Sequence, residues 1–175
     1  MCAMAGCCGG EAMNNKSQPF WEHKSLAQMT REEWESLCDG CGKCCLHKLI
    51  DADEGDPQRP MSADEVAHFT HVTCQLLDHS SGRCSDYPDR LKTVPDCVVL
   101  TPDNLESIHF MPPSCAYRRL YEGHDLPSWH PLRHQGSQEA MRKAGMSIVG
   151  HRLVHDTECD PEDGEIVRWP LKYQP

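Results

Sequence analysis

The chain has no long apolar run. Nothing in it approaches the roughly 18 consecutive apolar residues of a spanning helix, so no transmembrane helix is expected. Aromatic residues are few: three phenylalanines, four tyrosines and four tryptophans in 175 residues. Positive charge is also short, with 17 Lys and Arg against 27 Asp and Glu, for a formal net charge of −10. That balance argues against a nucleic-acid backbone or an anionic membrane surface as partner, since both repel an acidic protein. No basic stretch followed by an apolar one stands at the start, so no signal peptide is read. Gly-x-Gly-x-x-Gly, the P-loop, His-Glu-x-x-His and Gly-x-Ser-x-Gly are all missing, which leaves the question of an enzymatic activity open.

What the chain does have is cysteine, 12 residues in all. The hydrophobic fraction of 38% includes them, and the mean hydropathy is −0.62. The expected core is therefore modest, and bound metal would help hold it together. The length fits a single domain. Without an export signal the expected location is the cytoplasm. In that reducing setting, cysteine-rich sequence is read as metal-binding or catalytic rather than disulfide-bonded.

The densest stretch is Cys38-Asp39-Gly40-Cys41-Gly42-Lys43-Cys44-Cys45, four thiols in eight residues. Thiolates are strong ligands for zinc and iron, and a short loop brings several to one centre at little entropic cost. Gly40 and Gly42 supply the positive φ values that let such a loop turn on itself. Three or four of these sulfurs are expected to meet, and the spacing leaves open which. His47 is a plausible further ligand. Asp39 and Lys43 stand beside the thiols, where they either tune the charge or are simply solvated. The C-x2-C-x2-C opening only partly matches bacterial ferredoxins, whose fourth cysteine follows after three more residues and precedes proline.

The rest of the chain reads as short elements. Residues 1–18, with Cys2, Cys7 and Cys8, have the composition of a disordered tail, and 19–175 are read as one cysteine-cluster domain. Thr30-Arg31-Glu32-Glu33 is a capping box opening a helix that carries Trp34 and Leu37 and runs to Gly40. Leu46, Leu49 and Ile50 suggest a short buried helix or turn. Residues 51–60 form a polar loop. A strand is expected over about 67–77, then a turn at 78–82 and a returning hairpin arm from Arg83. Val98-Val99-Leu100 reads as a buried strand, and Thr101-Pro102 as a helix start. Cys115 to Glu122 reads as a helix closed by Gly123, Ser137 to Lys143 as another, and Ile148 to Val154 as a strand. Ile166 to Trp169 either adds a short strand or packs Trp169 on the body. The fold class is α+β: a small, irregular, metal-stapled domain with short helices and a β-hairpin.

Cys74, Cys84, Cys97 and Cys115 are separated by 9, 12 and 17 residues, too far apart for a local knuckle. At least three of them are expected to lie close together, beside or shared with the 38–45 cluster. Cys115, in the first turn of its helix, is expected to be a favoured thiolate. Cys159, in an acidic loop, is the least favoured ligand.

The stretch Cys38 to Leu49 resembles the signature of the CxxCxxCC (YkgJ-like) cysteine-cluster proteins, a family described as zinc- or iron-chelating, and most closely its YcgN branch of small bacterial proteins. The resemblance continues through Pro19-Phe20-Trp21-Glu22, Trp34 to Cys38, Val94 to Cys97 with Leu100-Thr101, Cys115 to Leu120, and Glu122 to Leu132. It implies that Cys38, Cys41, Cys44, Cys45, Cys74, Cys84, Cys97 and Cys115 are the family cysteines, and it brings no settled activity. Three functions follow from thiols in this number. The leading one is an iron–sulfur protein that passes electrons to a redox partner or senses redox state. The alternatives are a structural zinc protein whose surface binds a protein partner, and a protein that chelates and transfers metal.

Overall fold

A computed structural model describes residues 18–51 and 65–173. The expected tail (apart from Gln18) and most of the polar loop lie outside the described residues. The secondary structure is short throughout and of mixed α+β class. Helices α1 (Phe20–His23) and α2 (Arg31–Ser36) lead into the cysteine loop. Strands β1 (Leu46–Ile50) and β2 (Ala67–Thr73) follow it. Then come the two-residue strands β3 (Leu77–Asp78) and β4 (Arg83–Cys84), and helices α3 (Arg90–Thr93), α4 (Ala116–Tyr121) and α5 (Glu139–Lys143). Strand β5 (Val154–His155) comes last.

β2 is the middle of a three-stranded sheet, antiparallel to β1 and parallel to β5. Its free flank beyond β5 is closed by the chain at 165–167: Thr70 bridges Ile166, and the Val167 N–H donates to the Phe69 carbonyl at 2.7 Å. A strand covered on both edges can carry inward-facing apolar residues, here Phe69 and Val72, without presenting a template for aggregation. β3 and β4 form the expected hairpin, pairing Leu77 with Cys84 and Asp78 with Arg83. Its turn is fixed by Asp78, which accepts from Ser80 N–H and Oγ and from Ser81 Oγ at 2.6–2.9 Å.

Several sequence expectations are corrected. Leu46–Ile50 is a strand rather than a helix or turn, because β2 supplies the ladder it pairs with. β2 ends at Thr73, four residues early, since Cys74 starts a turn in which the Leu77 N–H donates back to the Cys74 carbonyl. Val98 and Val99 are 46% and 42% exposed and belong to no strand, pairing with neither sheet. After Thr101-Pro102 there is only a 3-10 turn, Leu105–Ser107. α2 stops at Ser36 rather than Gly40, and the strand foreseen from Ile148 is limited to Val154–His155.

The core comes in three apolar clusters. The first holds Leu37, Leu105, Ile108, Met111, Cys115 and Tyr117. The second holds Cys41, Trp129, Met141 and Met146. The third holds Leu46, Phe69, Leu77 and Ile148. Residues 37–46 contribute one side chain to each, so the cysteine loop lies where all three meet.

Glycine permits that placement. Gly42 (φ +76°) packs against the Gly82 carbonyl, and Gly82 (φ +77°) against the Gly40 carbonyl. A Cβ on Gly42 would stand 2.6 Å from Ile148 Cγ1 and 3.1 Å from Gly82 O. Gly123 shares the left-handed conformation, but open space surrounds it. Gly123→Ala should thus lose only the conformational term, about 1–2 kcal/mol, while Gly42→Ala should lose clearly more. Urea unfolding of the two variants measures the difference, and equal losses would show that the close approach at Gly42 carries no energy.

Candidate metal centre

α2 delivers the chain to the site. The Thr30–Glu33 capping box is formed in both directions: Glu33 N–H donates to Thr30 Oγ1 at 3.2 Å, and Thr30 N–H to Glu33 Oε2 at 2.8 Å. Lys24 Nζ holds Glu33 at 2.6 Å. Leu37, fully buried, anchors the helix end. Its carbonyl accepts from Nε2–H of the buried His130, whose Nδ1 accepts from the Leu132 N–H and so fixes the tautomer.

The loop then winds on its own backbone. The Asp39 carboxylate accepts the Cys41 N–H at 2.9 Å, and the Cys45 N–H donates to the Gly42 carbonyl at 3.1 Å. From outside, Gln138 Nε2 donates to the Asp39 carbonyl and the Ile148 N–H to the Cys41 carbonyl.

Solvation does not explain Asp39 and Lys43, which are 5% and 0% exposed. Lys43 Nζ donates to Ser114 Oγ at 3.1 Å and lies 3.7 Å from Met146 Sδ. Burial lowers the Lys43 pKa, against the pull of the Cys41 and Asp39 charges. Lys48 Nζ donates to the carbonyls of Cys44 and Leu46 and lies 5.0 Å from the Phe69 ring centroid.

Cys44 Sγ and Cys45 Sγ are 3.9 Å apart and hydrogen-bonded. Two sulfurs of one tetrahedral zinc, at Zn–S of about 2.3 Å, stand about 3.8 Å apart. The pair gives up its first proton early and its second late. The hydrogen bond from Cys45 chiefly lowers Cys44, to about 7 despite burial, with Lys48 assisting, and the same bond raises Cys45. Cys38 and Cys44 reach solvent, but from a recess walled by protein. Desolvation there, with the Asp39 charge, pushes Cys38 up to about 12. Burial and Asp39 likewise raise Cys41.

The distant thiols come from three directions. Cys115 caps α4 and is buried in the first cluster. Burial raises its pKa, so the expected favoured thiolate at a helix start is corrected: desolvation outweighs the short helix. Cys74 is bound through its N–H to the Cys45 carbonyl at 2.9 Å. Cys84 lies on β4 opposite Leu77, and Cys97 ends a turn closed on the Val94 carbonyl. Among the described residues all nine cysteines are free thiols, and no group of three or more His, Cys, Asp or Glu side chains is arranged to clasp an ion as it stands.

His47 is held by Asp156, Nε2 to Oδ2 at 2.9 Å. Sequence reasoning missed Asp156, His130, Lys48 and Ser114. No local spacing signals Asp156, His130 or Ser114, whose side-chain partners His47, Leu37 and Lys43 lie far off along the chain, and the local partners of Lys48 are backbone carbonyls that leave no mark in the sequence.

These donors suit a thiophilic metal: several soft sulfurs, one of them ionised near neutrality, around a buried carboxylate with a free oxygen, Asp39 Oδ2. Comparison with known proteins agrees. Residues 37–116 match the CxxCxxCC family, described as a "putative zinc- or iron-chelating domain". A UPF0260 protein of Parvibaculum lavamentivorans is 56% identical over 161 residues, covering 91% of this chain and 97% of that one. The chain belongs to the UPF0260 family. Another member, from Shewanella pealeana, is 52% identical over 153 residues, 87% of this chain and 97% of its own. A third, from Granulibacter bethesdensis, is 48% identical over 155 residues, 89% and 86% of the two chains. No solved structure matches the chain. As a UPF0260 protein with a CxxCxxCC region, it is a metal-binding cysteine-cluster protein, and among its described residues no helix is long and apolar enough to cross a membrane.

The thiol pKa values give a direct test. In reduced, metal-free protein, alkylation of Cys44 should rise through about pH 7, while Cys38 stays slow until far higher pH. Iodoacetamide labelling mapped by mass spectrometry reads both, and Cys38 reacting first would contradict the assignment.

Proposed function

We propose that the thiols built on Cys38, Cys41, Cys44 and Cys45, together with Cys74, Cys84, Cys97 and Cys115, hold an iron–sulfur cluster used for electron transfer or redox sensing. Such a group supplies one-electron chemistry at a potential set by charge, hydrogen bonding and solvent access. The observation that carries this reading is the spread of the thiols. They come from the loop at 38–45, the turn after β2, β4, the turn at Cys97 and the N-cap of α4, more thiols than the four that one zinc takes. Cys38 and Cys44 open to solvent, giving a redox partner a face to approach. Lys43 and Lys48 bring positive charge to the thiolates. The nine free thiols among the described residues suit a reducing cytoplasm.

A structural zinc site is the second reading, favoured by the 3.9 Å separation of Cys44 and Cys45. Anaerobic purification followed by assay of iron, zinc and acid-labile sulfide separates the two: iron with sulfide and colour is expected, and colourless zinc protein would favour the alternative. Cys41→Ser should lower metal content and melting temperature together, because metal binding and folding are coupled. Unchanged metal in both Cys41→Ser and Cys45→Ser would sink the assignment of the loop.

A further inference from the structure

The thiols fall into two neighbourhoods. Around Asp39 are Cys38, Cys41, Cys44 and Cys115: the Asp39 and Cys44 charges bear on each of the other three thiols, and the Cys38 charge bears on Cys115. Packing agrees, since Leu37 and Cys115 share an apolar cluster and Lys43 is bonded to Ser114, the neighbour of Cys115. On the other side of the loop, Cys45 accepts the Cys74 N–H on its carbonyl, the Leu77 N–H returns to the Cys74 carbonyl, and Leu77 pairs with Cys84. The Cys74 charge bears on Cys45, and Asp156, Cys97 and Cys84 all bear on Cys74.

Each neighbourhood contains an unsatisfied anion. Among the described residues, three buried side-chain polar atoms lack a hydrogen-bond partner: Asp39 Oδ2, Asp156 Oδ1 and the indole nitrogen of Trp21. The indole N–H cannot serve a cation. The two carboxylate oxygens can, and one belongs to each group of thiols. A buried carboxylate oxygen without a hydrogen-bond partner is costly, and a metal ion held by the neighbouring sulfurs would relieve that cost. Asp156 is further oriented through its other oxygen by His47.

We propose that the eight cysteines serve two metal centres, one formed by Cys38, Cys41, Cys44 and Cys115 beside Asp39, the other by Cys45, Cys74, Cys84 and Cys97 beside Asp156, with Cys44 and Cys45 as the seam between them. This division rests on the reading that the thiols bind metal, and it adds the count and the membership. It gives the adjacent cysteines different duties, so that their 3.9 Å contact joins two centres rather than closing one.

The test measures metal and sulfide per chain, with stepwise chelation by EDTA, on full-length protein purified anaerobically. Wild type should release its metal in two separable phases. Cys115→Ser should lose one phase and Cys97→Ser the other, each keeping about half of the metal, and the double variant should keep none. Asp39→Asn and Asp156→Asn retain the shape of the side chains and cover the case in which a serine variant fails to fold. Each should weaken a single phase, by about tenfold or more, as expected for groups that support metal ligands. The division is overturned if metal leaves wild type in one phase, if a folded single cysteine variant loses all of it, or if the two asparagine variants weaken the same phase or none. A wild type without any metal would instead sink the metal reading itself.

Discussion

Everything near the cysteines depends on burying a polar loop, and the hardest part of that is Lys43. An ammonium fully removed from water costs several kcal/mol unless its hydrogen bonds and charge are met inside. Ser114, Met146 and the charge of Asp39 meet them from three parts of the chain. The loop can therefore sit inside only when the residues before α4 and after α5 are already in place. The same residues, 37–46, supply one side chain to each of the three apolar clusters. Folding of the body and formation of the thiol site are one event.

This arrangement holds opposite charges in a low dielectric without a network of direct ion pairs. Asp39 is satisfied through one oxygen by a backbone amide, and Lys48 by two backbone carbonyls. The side chains keep their charges available to the sulfurs: Cys44, lowered chiefly by its hydrogen bond with Cys45, is lowered further by Lys48 and raised by Asp39. A fully paired network would be more stable and chemically quieter.

Local signals in the sequence were dependable. The Thr30–Glu33 box, the 78–82 turn and the helix after Cys115 are each set by contacts within a few residues, and each stands where it was expected. The misreadings came from partners far along the chain. Leu46 to Ile50 has no pattern of its own that distinguishes strand from turn, and only pairing with β2 decides it. Val98 and Val99 look like a buried strand but stand half-exposed and outside both sheets. Asp39 and Lys43 look solvated because charged residues usually are. Their burial depends on distant partners, 71 and 103 residues away for Lys43 and 99 for Asp39. The fold class was legible, as were the dense cysteines, but the buried charges around them were not.

The pairing of β1 with β2 also separates two parts of the chain mechanically. Leu46, adjoining Cys45, stands opposite Thr73, adjoining Cys74, while the other end of the ladder, Ile50 with Ala67, leads into the connecting segment 52–64. Four strand steps, about 13 Å at the usual rise, lie between that connection and the thiols. Changes of length there act on the open end of a clamped ladder. The connection is thus the natural place to graft a fluorophore or an affinity tag without disturbing the sulfurs.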